Sequence, residues 1–315
     1  MSSQLLSIKS LEEIGSYSRN TFLITDENLW TNYSSPILEL VDKDNILVVS
    51  AGEASKSMKR VEELALDLIE KGVNRESLIV AFGGGMVSDF TGFLASTLKR
   101  GVDWEVIPTT LLAMVDASIG GKTGVNIGDY KNQLGRIHFP KRIFFYPPFL
   151  ETLPESEKIS GLGEMIKYAL LEKTIFQLLN QKKELSLVIK ACAEYKTKIV
   201  ESDPFEKGLR ALLNLGHTYG HAIESLTKAP HGQCVWQGLN ILVKKFNPNL
   251  REKLLSLGEL YGLEEQTLSA GELKQLNQYI VSDKKISENH KIKMIVPRDI
   301  GKCEIVEMNI QEVLL

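Results

Sequence analysis

The sequence has few of the residues and runs that would indicate a special environment. Only three of its 315 residues are cysteines, namely Cys192, Cys234 and Cys303. They lie far apart with no CxxC spacing that would suggest a cysteine-ligated zinc or a redox site, and this usage fits a reducing cytosol. No stretch reaches the roughly 18 uninterrupted apolar residues of a membrane helix, and the N-terminus lacks a basic segment followed by a long apolar one. We therefore expect a cytoplasmic protein without a membrane partner.

Neither positive nor negative charge predominates in the sequence. The chain has 37 Lys and Arg residues against 40 Asp and Glu, a formal net charge of -3. Together with 43% apolar and 24% charged residues, this is typical of a soluble enzyme and argues against a nucleic-acid or anionic-membrane partner. An anionic ligand would need a local basic pocket. The length favours two domains.

The two halves of the chain differ in their hydrophobic pattern. Short apolar runs alternate with helical periodicity in the first half, at residues 21–25, 45–50, 77–82 and 104–107. This rhythm predicts an α/β domain with a parallel sheet over residues 1–150. Long amphipathic segments follow and predict a mainly α-helical domain over residues 151–315. The alternation at 291–297 predicts one more strand, whose place in the fold the sequence leaves open.

A glycine turn follows the third predicted strand. In "FGGGMVSDF", Gly83 and Gly85 match the G-x-G-x-x-G pattern, but Ser88 stands at its third glycine. Such glycines let the backbone approach a pyrophosphate at a helix N-terminus, although a purely structural turn explains them equally well. The later "GKT" at 121–123 is not a P-loop, because Asp116 stands where that motif needs a glycine.

Polar side chains concentrate between residues 100 and 132. They are Arg100, Asp116, Lys122, Lys131 and Asn132. Lysines are usually solvated, so a plain surface is one interpretation. The segment around Asp116 is apolar and rich in small residues, however, and a carboxylate near buried backbone needs partners. This favours a binding site.

Two further groups could bind a metal. Glu164 and Lys167 are i,i+3 neighbours, a spacing that is typical of a surface ion pair. Their helix is largely apolar, however, and a buried carboxylate would need a metal or a cation. His217, His221 and His231 fall within fifteen residues. The i,i+4 spacing of His217 and His221 is a familiar ligand pair and also a common accident of helix composition. The spacing alone leaves the choice of ligands open.

Several motifs together resemble one family. They are "GGGMVSDFTGF", "RGVDWEVIPTTLLAMVDASIGGKTGVN", "KNQLG", "LPESEKISGLGEMIKYALL", "GLRALLNLGHTYGHAIE" and "HGQCV". In this order, from about residue 20 to at least residue 240, they resemble the 3-dehydroquinate synthase family of NAD- and metal-dependent sugar phosphate cyclases. The resemblance implies an α/β N-terminal Rossmann-like NAD-binding domain, a mainly α-helical C-terminal metal-binding domain and a homodimer.

The resemblance also implies roles for individual residues. The metal ligands would be Glu164, His217 and His231, binding a divalent ion that is usually zinc, with cobalt or iron also compatible. The NAD contacts would be Asp26, Asn28, Glu53, Lys56, Gly84, Gly85, Asp89, Thr109 and Thr110. The substrate contacts would be Asp116, Lys122, Lys131, Asn132, Lys167, Lys196, Arg210, Asn214, His221 and one of Lys284 and Lys285, with Arg100 reaching across the dimer.

The implied activity is that of a carbon–oxygen lyase in aromatic amino-acid biosynthesis. It would convert 3-deoxy-D-arabino-heptulosonate 7-phosphate to 3-dehydroquinate and phosphate, with NAD oxidising C5 transiently. The sequence departs from the family pattern at Ser88 and Gln233, and the chain is shorter than typical members.

Three other functions stay open at this point. One is another sugar phosphate cyclase, although Lys196, Arg210 and Asn214 match positions that recognise the substrate carboxylate in dehydroquinate synthases. The second is a metal-dependent polyol dehydrogenase of the glycerol dehydrogenase type, and the third is a non-catalytic NAD-binding protein.

Overall fold

The computed structural model describes residues 3–128, 130–283 and 291–315. The chain divides into two compact units, residues 1–153 and 154–315. Lys284 and Lys285, one of which the resemblance places at the substrate phosphate, lie outside the described residues. Within the described part of the chain, no helix combines the length and apolar character needed to cross a bilayer.

The first unit is built on a parallel sheet. Its strands and those of a separate hairpin are β1 Gln4–Ser7, β2 Thr21–Asp26, β3 Ile46–Val49, β4 Leu78–Gly83, β5 Asp103–Pro108, β6 Lys122–Ile127, β7 Tyr130–Ile137 and β8 Arg142–Phe145. Six of them form one sheet in the order β1-β8-β5-β4-β2-β3. The four predicted strands are thus confirmed as β2, β3, β4 and β5. Strands β1 and β8 have four residues each and were not predicted, because such short runs show no clear periodicity.

Three helices connect these strands, α1 Glu27–Leu40, α2 Met58–Glu70 and α3 Gly85–Thr97. Strand β2 pairs with β3 on one side and β4 on the other, so the direction in which strands are added reverses there. In open parallel sheets, ligands bind beyond the carboxyl ends of the strands at such a reversal. Asp26 ends β2 and Gly83 ends β4, which puts the predicted glycine turn at this position.

The polar segment of the sequence folds into two features that the sequence analysis missed. Residues Ala113–Ala117 form a π-helical turn that carries Asp116, a rare conformation often found at functional sites. Strands β6 and β7 form an antiparallel hairpin, with a register shift between Val125 and Ile127. Such a bulge redirects side chains and is common beside active sites.

The second unit is mainly helical, as predicted. Its helices are α4 Glu155–Leu171, α5 Lys173–Asn180, α6 Leu185–Ser202, α7 His217–Thr227, α8 His231–Phe246, α9 Arg251–Glu259, α10 Ala270–Asp283 and α11 Ile310–Val313. The strand predicted at 291–297 is confirmed as β9 Lys291–Asp299, which pairs antiparallel with β10 Lys302–Asn309. Strand β10 was missed because it is half-exposed and carries charged residues.

Helices α4, α7 and α8 approach one another through glycines. A Cβ atom added at Gly163 would lie 1.9 Å from the carbonyl oxygen of Gly232, and one added at Gly232 would lie 1.7 Å from that of Ser160. A Cβ at Gly238 would lie 2.3 Å from the carbonyl oxygen of Gly216. These contacts involve backbone that no side-chain rotation can move away, so the three helices can be this close only with glycine at these positions.

We expect Gly163→Ala to lower the free energy of unfolding by about 1–3 kcal/mol or more, because the added methyl group must push α8 away from α4. Urea unfolding followed by circular dichroism measures the change. Gly271→Ala is the matched control, since Gly271 is in a helix, is exposed, and its added Cβ meets only Ser269 Oγ at 4.0 Å. This control should be neutral or stabilise the protein by about 0.5–1 kcal/mol. Equal effects of the two substitutions would contradict the close-packing argument.

Candidate active site and metal centre

Three helices each contribute one potential metal ligand. Glu164 lies in α4, while His217 and His231 are the first residues of α7 and α8. Glu164 Oε1 is 3.4 Å from His217 Nε2 and 3.1 Å from His231 Nε2. One ligand atom from each of the three residues lies within 4.8 Å of the other two. This spacing suits a single ion placed between them.

Contacts at Nδ1, the ring nitrogen that faces away from Glu164, orient the two histidine rings. His217 Nδ1 lies 3.2 Å from the Leu215 carbonyl oxygen, and His231 Nδ1 lies 2.8 Å from Glu224 Oε2. When Nδ1 carries the proton and donates it to these acceptors, Nε2 keeps its lone pair for a metal. One carboxylate and two Nε2 atoms fit a divalent ion such as zinc and leave coordination positions for a substrate.

Glu164 is buried beside a buried lysine. Lys167 Nζ lies 2.5 Å from Glu164 Oε2, and the two side chains are only 2% and 1% exposed. Burial raises the pKa of the Glu164 carboxyl, but the Lys167 ammonium and the His217 ring outweigh it and hold the pKa well below its usual range. The surface ion pair considered for these residues is therefore excluded, and the carboxylate is ionised and ready to bind a cation.

The two candidate histidine ligands differ in their protonation without a metal. Burial lowers the pKa of His217 to about 4, against the opposing effect of Glu164. Burial also disfavours the charged form of His231, but its hydrogen bonds to Glu164 and Glu224 prevail and raise its pKa to about 10. An ion that binds here must therefore displace a proton from His231 Nε2.

His221 lies one turn beyond His217 on α7 and is not in the ligand cluster. Its ring centroid is 5.1 Å from that of His217 and 5.9 Å from that of His231. The His217 and His231 centroids are no closer, at 5.3 Å, so the ring distances do not separate the two histidines. The ligand atoms do, because those that lie within 4.8 Å of one another belong to Glu164, His217 and His231. The assignment of ligands remains a prediction that metal analysis tests.

Of three further predicted substrate residues in the second unit, Arg210 and Asn214 contact a short loop, and Lys196 lies in α6. Lys196 and Arg210 are 7% and 2% exposed, and Arg210 Nη1 donates to the Pro204 carbonyl oxygen at 2.7 Å. Asn214 Nδ2 donates to Glu206 Oε1 at 2.7 Å. Glu206 has φ +56°, a strained conformation that is enriched at functional sites.

Sequence reasoning missed Glu206 and Glu224. Glu224 was detectable in part, because it lies seven residues after His217 and therefore on the same helical face as His217 and His221. Glu206 left no such signal, since its position depends on the fold of an irregular loop.

Six of the nine predicted NAD residues lie at or just after the ends of β2, β4 and β5, whereas Glu53 and Lys56 follow β3 and Asp89 lies in α3. Asp26 accepts hydrogen bonds from the backbone N–H groups of Asn28 and Leu29, which makes it the N-cap of α1. The Thr109 N–H donates to the Gly83 carbonyl oxygen at 3.0 Å. Thr110 lies against the next glycine of the turn, Gly84.

The glycine turn is tightly packed. An added Cβ at Gly84 would lie 2.9 Å from Thr110 Cγ2, and one at Gly85 would lie 3.2 Å from Ala117 Cβ. Ser88, at the position of the third glycine of the motif, is buried and donates its hydroxyl to the Gly84 carbonyl oxygen at 3.0 Å. The serine is therefore accommodated without disturbing the start of α3.

A second group of predicted residues surrounds a cavity of about 280 Å³. The cavity is lined by Glu53, Ala54, Lys56, Ser57, Asn126, Gly128 and Lys131. Lys56 is 3% exposed, and its Nζ lies 2.6 Å from Asp89 Oδ2 and 2.5 Å from Asn132 Oδ1. The structure thus brings together residues that the resemblance assigns to NAD and residues that it assigns to substrate.

Three predicted residues of this unit lie elsewhere. Asp116 is half-buried on the π-helical turn, and Lys122 is exposed at the start of β6. Arg100 is exposed with φ +69°, next to Lys99 at φ +51°. Two consecutive residues with this strained backbone suit a functional turn, and the role of Arg100 across a dimer stays a prediction.

Comparisons with known proteins now bear on this geometry. Family models described as 3-dehydroquinate synthase N-terminal and C-terminal match residues 46–160 and 161–286. The chain belongs to the 3-dehydroquinate synthase family. It is 39% identical to the 3-dehydroquinate synthase of Dictyoglomus thermophilum over 93% of this chain and 86% of that protein. It is 36% identical to that of Buchnera aphidicola over 95% and 87%.

Solved structures of related enzymes share the fold of this family member. The 2-epi-5-epi-valiolone synthase of Streptomyces hygroscopicus, with NAD+ and Zn2+ bound, has a TM-score of 0.83 at 24% identity and covers 99% of this chain and 95% of its own. A 2-deoxy-scyllo-inosose synthase complexed with carbaglucose-6-phosphate, NAD+ and Co2+ has a TM-score of 0.80 at 22% identity, covering 98% and 94%. The predicted fold class is confirmed.

We expect His217→Ala and His231→Ala to lose the bound metal, because each removes one of three ligands. His221→Ala should retain it, since its ring lies outside the cluster. Inductively coupled plasma mass spectrometry of the purified variants measures the metal per chain. Loss of the metal from His221→Ala would show that the ligand assignment is wrong.

Glu224→Gln should weaken metal binding by about 10–100-fold, as is typical when a carboxylate behind a ligating histidine is changed. Competition with a chromophoric chelator gives the dissociation constant. Glu194→Gln, an exposed position on α6, is the control and should bind metal like the unchanged protein. Equal affinities for all three proteins would contradict a role of Glu224 in orienting His231.

Proposed function

We propose that this chain is a 3-dehydroquinate synthase that converts 3-deoxy-D-arabino-heptulosonate 7-phosphate to 3-dehydroquinate and inorganic phosphate. The observation that carries the proposal is the partly buried cluster of Glu164, His217 and His231 in a chain whose relatives bear that name. The C5 hydroxyl of the substrate is oxidised transiently, which acidifies the C6 proton and allows phosphate to be eliminated. Reduction of C5, opening of the ring and an intramolecular aldol closure then give the carbocycle.

The proposed cofactors are NAD and a divalent metal, with zinc preferred and cobalt or iron also compatible with the ligand set. The chemistry that these groups would supply is polarisation of the C5 oxygen by the metal and reversible hydride acceptance from C5 by NAD. Glu164, His217 and His231 would hold the metal. The proposed NAD residues are Asp26, Asn28, Glu53, Lys56, Gly84, Gly85, Asp89, Thr109 and Thr110.

The remaining predicted residues would bind the substrate, which is anionic at both ends. Lys196, Arg210 and Asn214 would bind its carboxylate, because ammonium, guanidinium and amide N–H groups are the donors that suit a carboxylate. His221, placed near the metal ligands but outside their cluster, would hydrogen-bond toward the phosphate end. Arg100 would join that end from the partner subunit of a homodimer.

Lys167 has a separate proposed role beside the metal. Its ammonium group lies against the Glu164 carboxylate and 4.5 Å from the centre of the Tyr168 ring. It would keep Glu164 ionised and donate to a substrate oxygen. Asp116, Lys122, Lys131 and Asn132 would supply the substrate contacts of the first unit.

The decisive assay measures inorganic phosphate released from the heptulosonate phosphate with NAD and zinc. We expect release without accumulation of NADH, because the hydride returns to C5. Treatment with EDTA should lower the rate by about 100-fold or more, and added metal should restore it. The matched control is His221→Ala, which should keep its metal and lose turnover by about 10²-fold or more.

The same assay separates the alternative functions. Faster phosphate release from sedoheptulose 7-phosphate, which lacks the carboxylate, would favour another sugar phosphate cyclase. Accumulation of NADH with glycerol or another polyol would favour a dehydrogenase. If metal-loaded protein releases no inorganic phosphate from any sugar phosphate, the proposal that it is a cyclase is wrong.

A further inference from the structure

Asn126 links two groups of residues to which the proposed function gives different tasks. Its Nδ2 donates to Glu53 Oε1 at 2.8 Å, and its Oδ1 accepts the backbone N–H of Asn132 at 2.9 Å. Glu53 belongs to the proposed NAD contacts, and Asn132 to the proposed substrate contacts. The half-buried side chain of Asn126 therefore joins the two with one hydrogen bond each.

Further hydrogen bonds, which involve Lys56, close these contacts into a ring. The backbone N–H of Asn126 donates to the Lys56 carbonyl oxygen at 2.8 Å, and Ser57 and Asn126 form an isolated β-bridge. Lys56 Nζ in turn lies 2.5 Å from Asn132 Oδ1. Each of Asn126, Asn132 and Lys56 is thus hydrogen-bonded to the other two. Moving one of them would strain its hydrogen bonds to both of the others.

The backbone supports the same conclusion. Asn126 lies at the register shift of the β6–β7 hairpin, and Asn132 has φ +54°. Asparagine adopts this left-handed conformation more readily than other non-glycine residues, and contacts with its neighbours hold it there. The hydrogen bond from the Asn132 N–H to Asn126 Oδ1 is one such restraint, so Asn126 helps to set where Asn132 and its neighbour Lys131 lie.

Chemistry explains why an asparagine suits this position. The side chain must donate to a carboxylate and accept from a backbone N–H at the same time, and a short primary amide can do both. Aspartate has no donor and would face Glu53 with a like charge. Alanine would leave both partners without this contact.

We infer that Asn126 is a positioning residue that couples the cofactor side of the cavity to the substrate side. Binding of NAD at Glu53 and Lys56 would be transmitted through the Asn126 amide to Asn132 and Lys131, ordering the hairpin before substrate arrives. The inference rests on the proposed function for the tasks of these residues. The hydrogen bonds themselves belong to the described structure.

Hydrogen–deuterium exchange with NAD alone tests this coupling, because it needs neither substrate nor turnover. In the unchanged protein, NAD should slow exchange in peptides covering residues 53–57 and also in peptides covering 130–137. We expect slowing of about fivefold or more in the hairpin, the lower end of typical couplings between sites. In Asn126→Ala, NAD should still protect 53–57, and the slowing of exchange in the hairpin should fall to about twofold or less. The remaining protection would pass through the direct contact of Lys56 Nζ with Asn132 Oδ1.

Gln133→Ala is the matched control, because Gln133 lies on the same hairpin and its side chain donates to the Lys131 carbonyl oxygen outside the ring. It should keep the protection of the hairpin. If Asn126→Ala does not fold, Asn126→Asp serves instead, since it retains the acceptor for the Asn132 N–H and loses the donor to Glu53. It should weaken the protection of the hairpin in the same way.

The outcomes separate this inference from the proposed function. No protection by NAD anywhere in the unchanged protein would contradict NAD binding and hence the proposed function. Protection of 53–57 without protection of the hairpin would overturn the coupling alone. Protection of the hairpin that persists at its full extent in the folded Asn126 variant would also overturn it.

Discussion

The candidate metal centre depends on close contacts between the backbones of three helices. Only glycine is small enough to permit these contacts. Each of the three candidate ligands has a glycine beside it in the chain, at positions 163, 216 and 232. These glycines lie where α4, α7 and α8 meet, with backbone so close that a methyl group would overlap a carbonyl oxygen or the Leu239 side chain. The same contacts that pack the helices therefore bring Glu164 within 3.4 Å of both histidines.

The close approach has an electrostatic cost that the neighbouring side chains offset. A carboxylate moved out of water is strongly disfavoured unless it is paired. Glu164 is paired with Lys167, and His231 is held between Glu164 and Glu224. The opposite charges of these side chains thus balance one another, and the same contacts orient the candidate ligands.

Much of the fold could be predicted from the sequence, because a strong periodicity of apolar residues indicates which face of a strand or helix is buried. The four longer apolar runs became strands, and the amphipathic segments after residue 150 became helices. The hairpin of β6 and β7 escaped prediction because nearly all of β7 is exposed, which removes the alternation that marks a strand. Four-residue β1 carries too few residues to show a period.

Residue-level features of the site were less accessible to sequence reasoning. Glu53 and Asn126 are 73 positions apart, and Lys56 and Asn132 are 76 apart, so local patterns cannot reveal that these side chains meet. The resemblance supplied Glu53, Lys56 and Asn132 as separate contacts but gave no reason for Asn126. Only the fold shows that the amide between them completes a ring of hydrogen bonds.

The histidine spacing shows that a local sequence pattern can also suggest a ligand pair that the structure does not favour. His217 and His221 are obvious partners on one helix, yet a metal held by them alone would connect nothing else. Ligands drawn from α4, α7 and α8 would make the ion a cross-link between three helices, so that its binding free energy would also stabilise their packing. An ion in this position would support the architecture that creates its site, which a pair of ligands on α7 could not do.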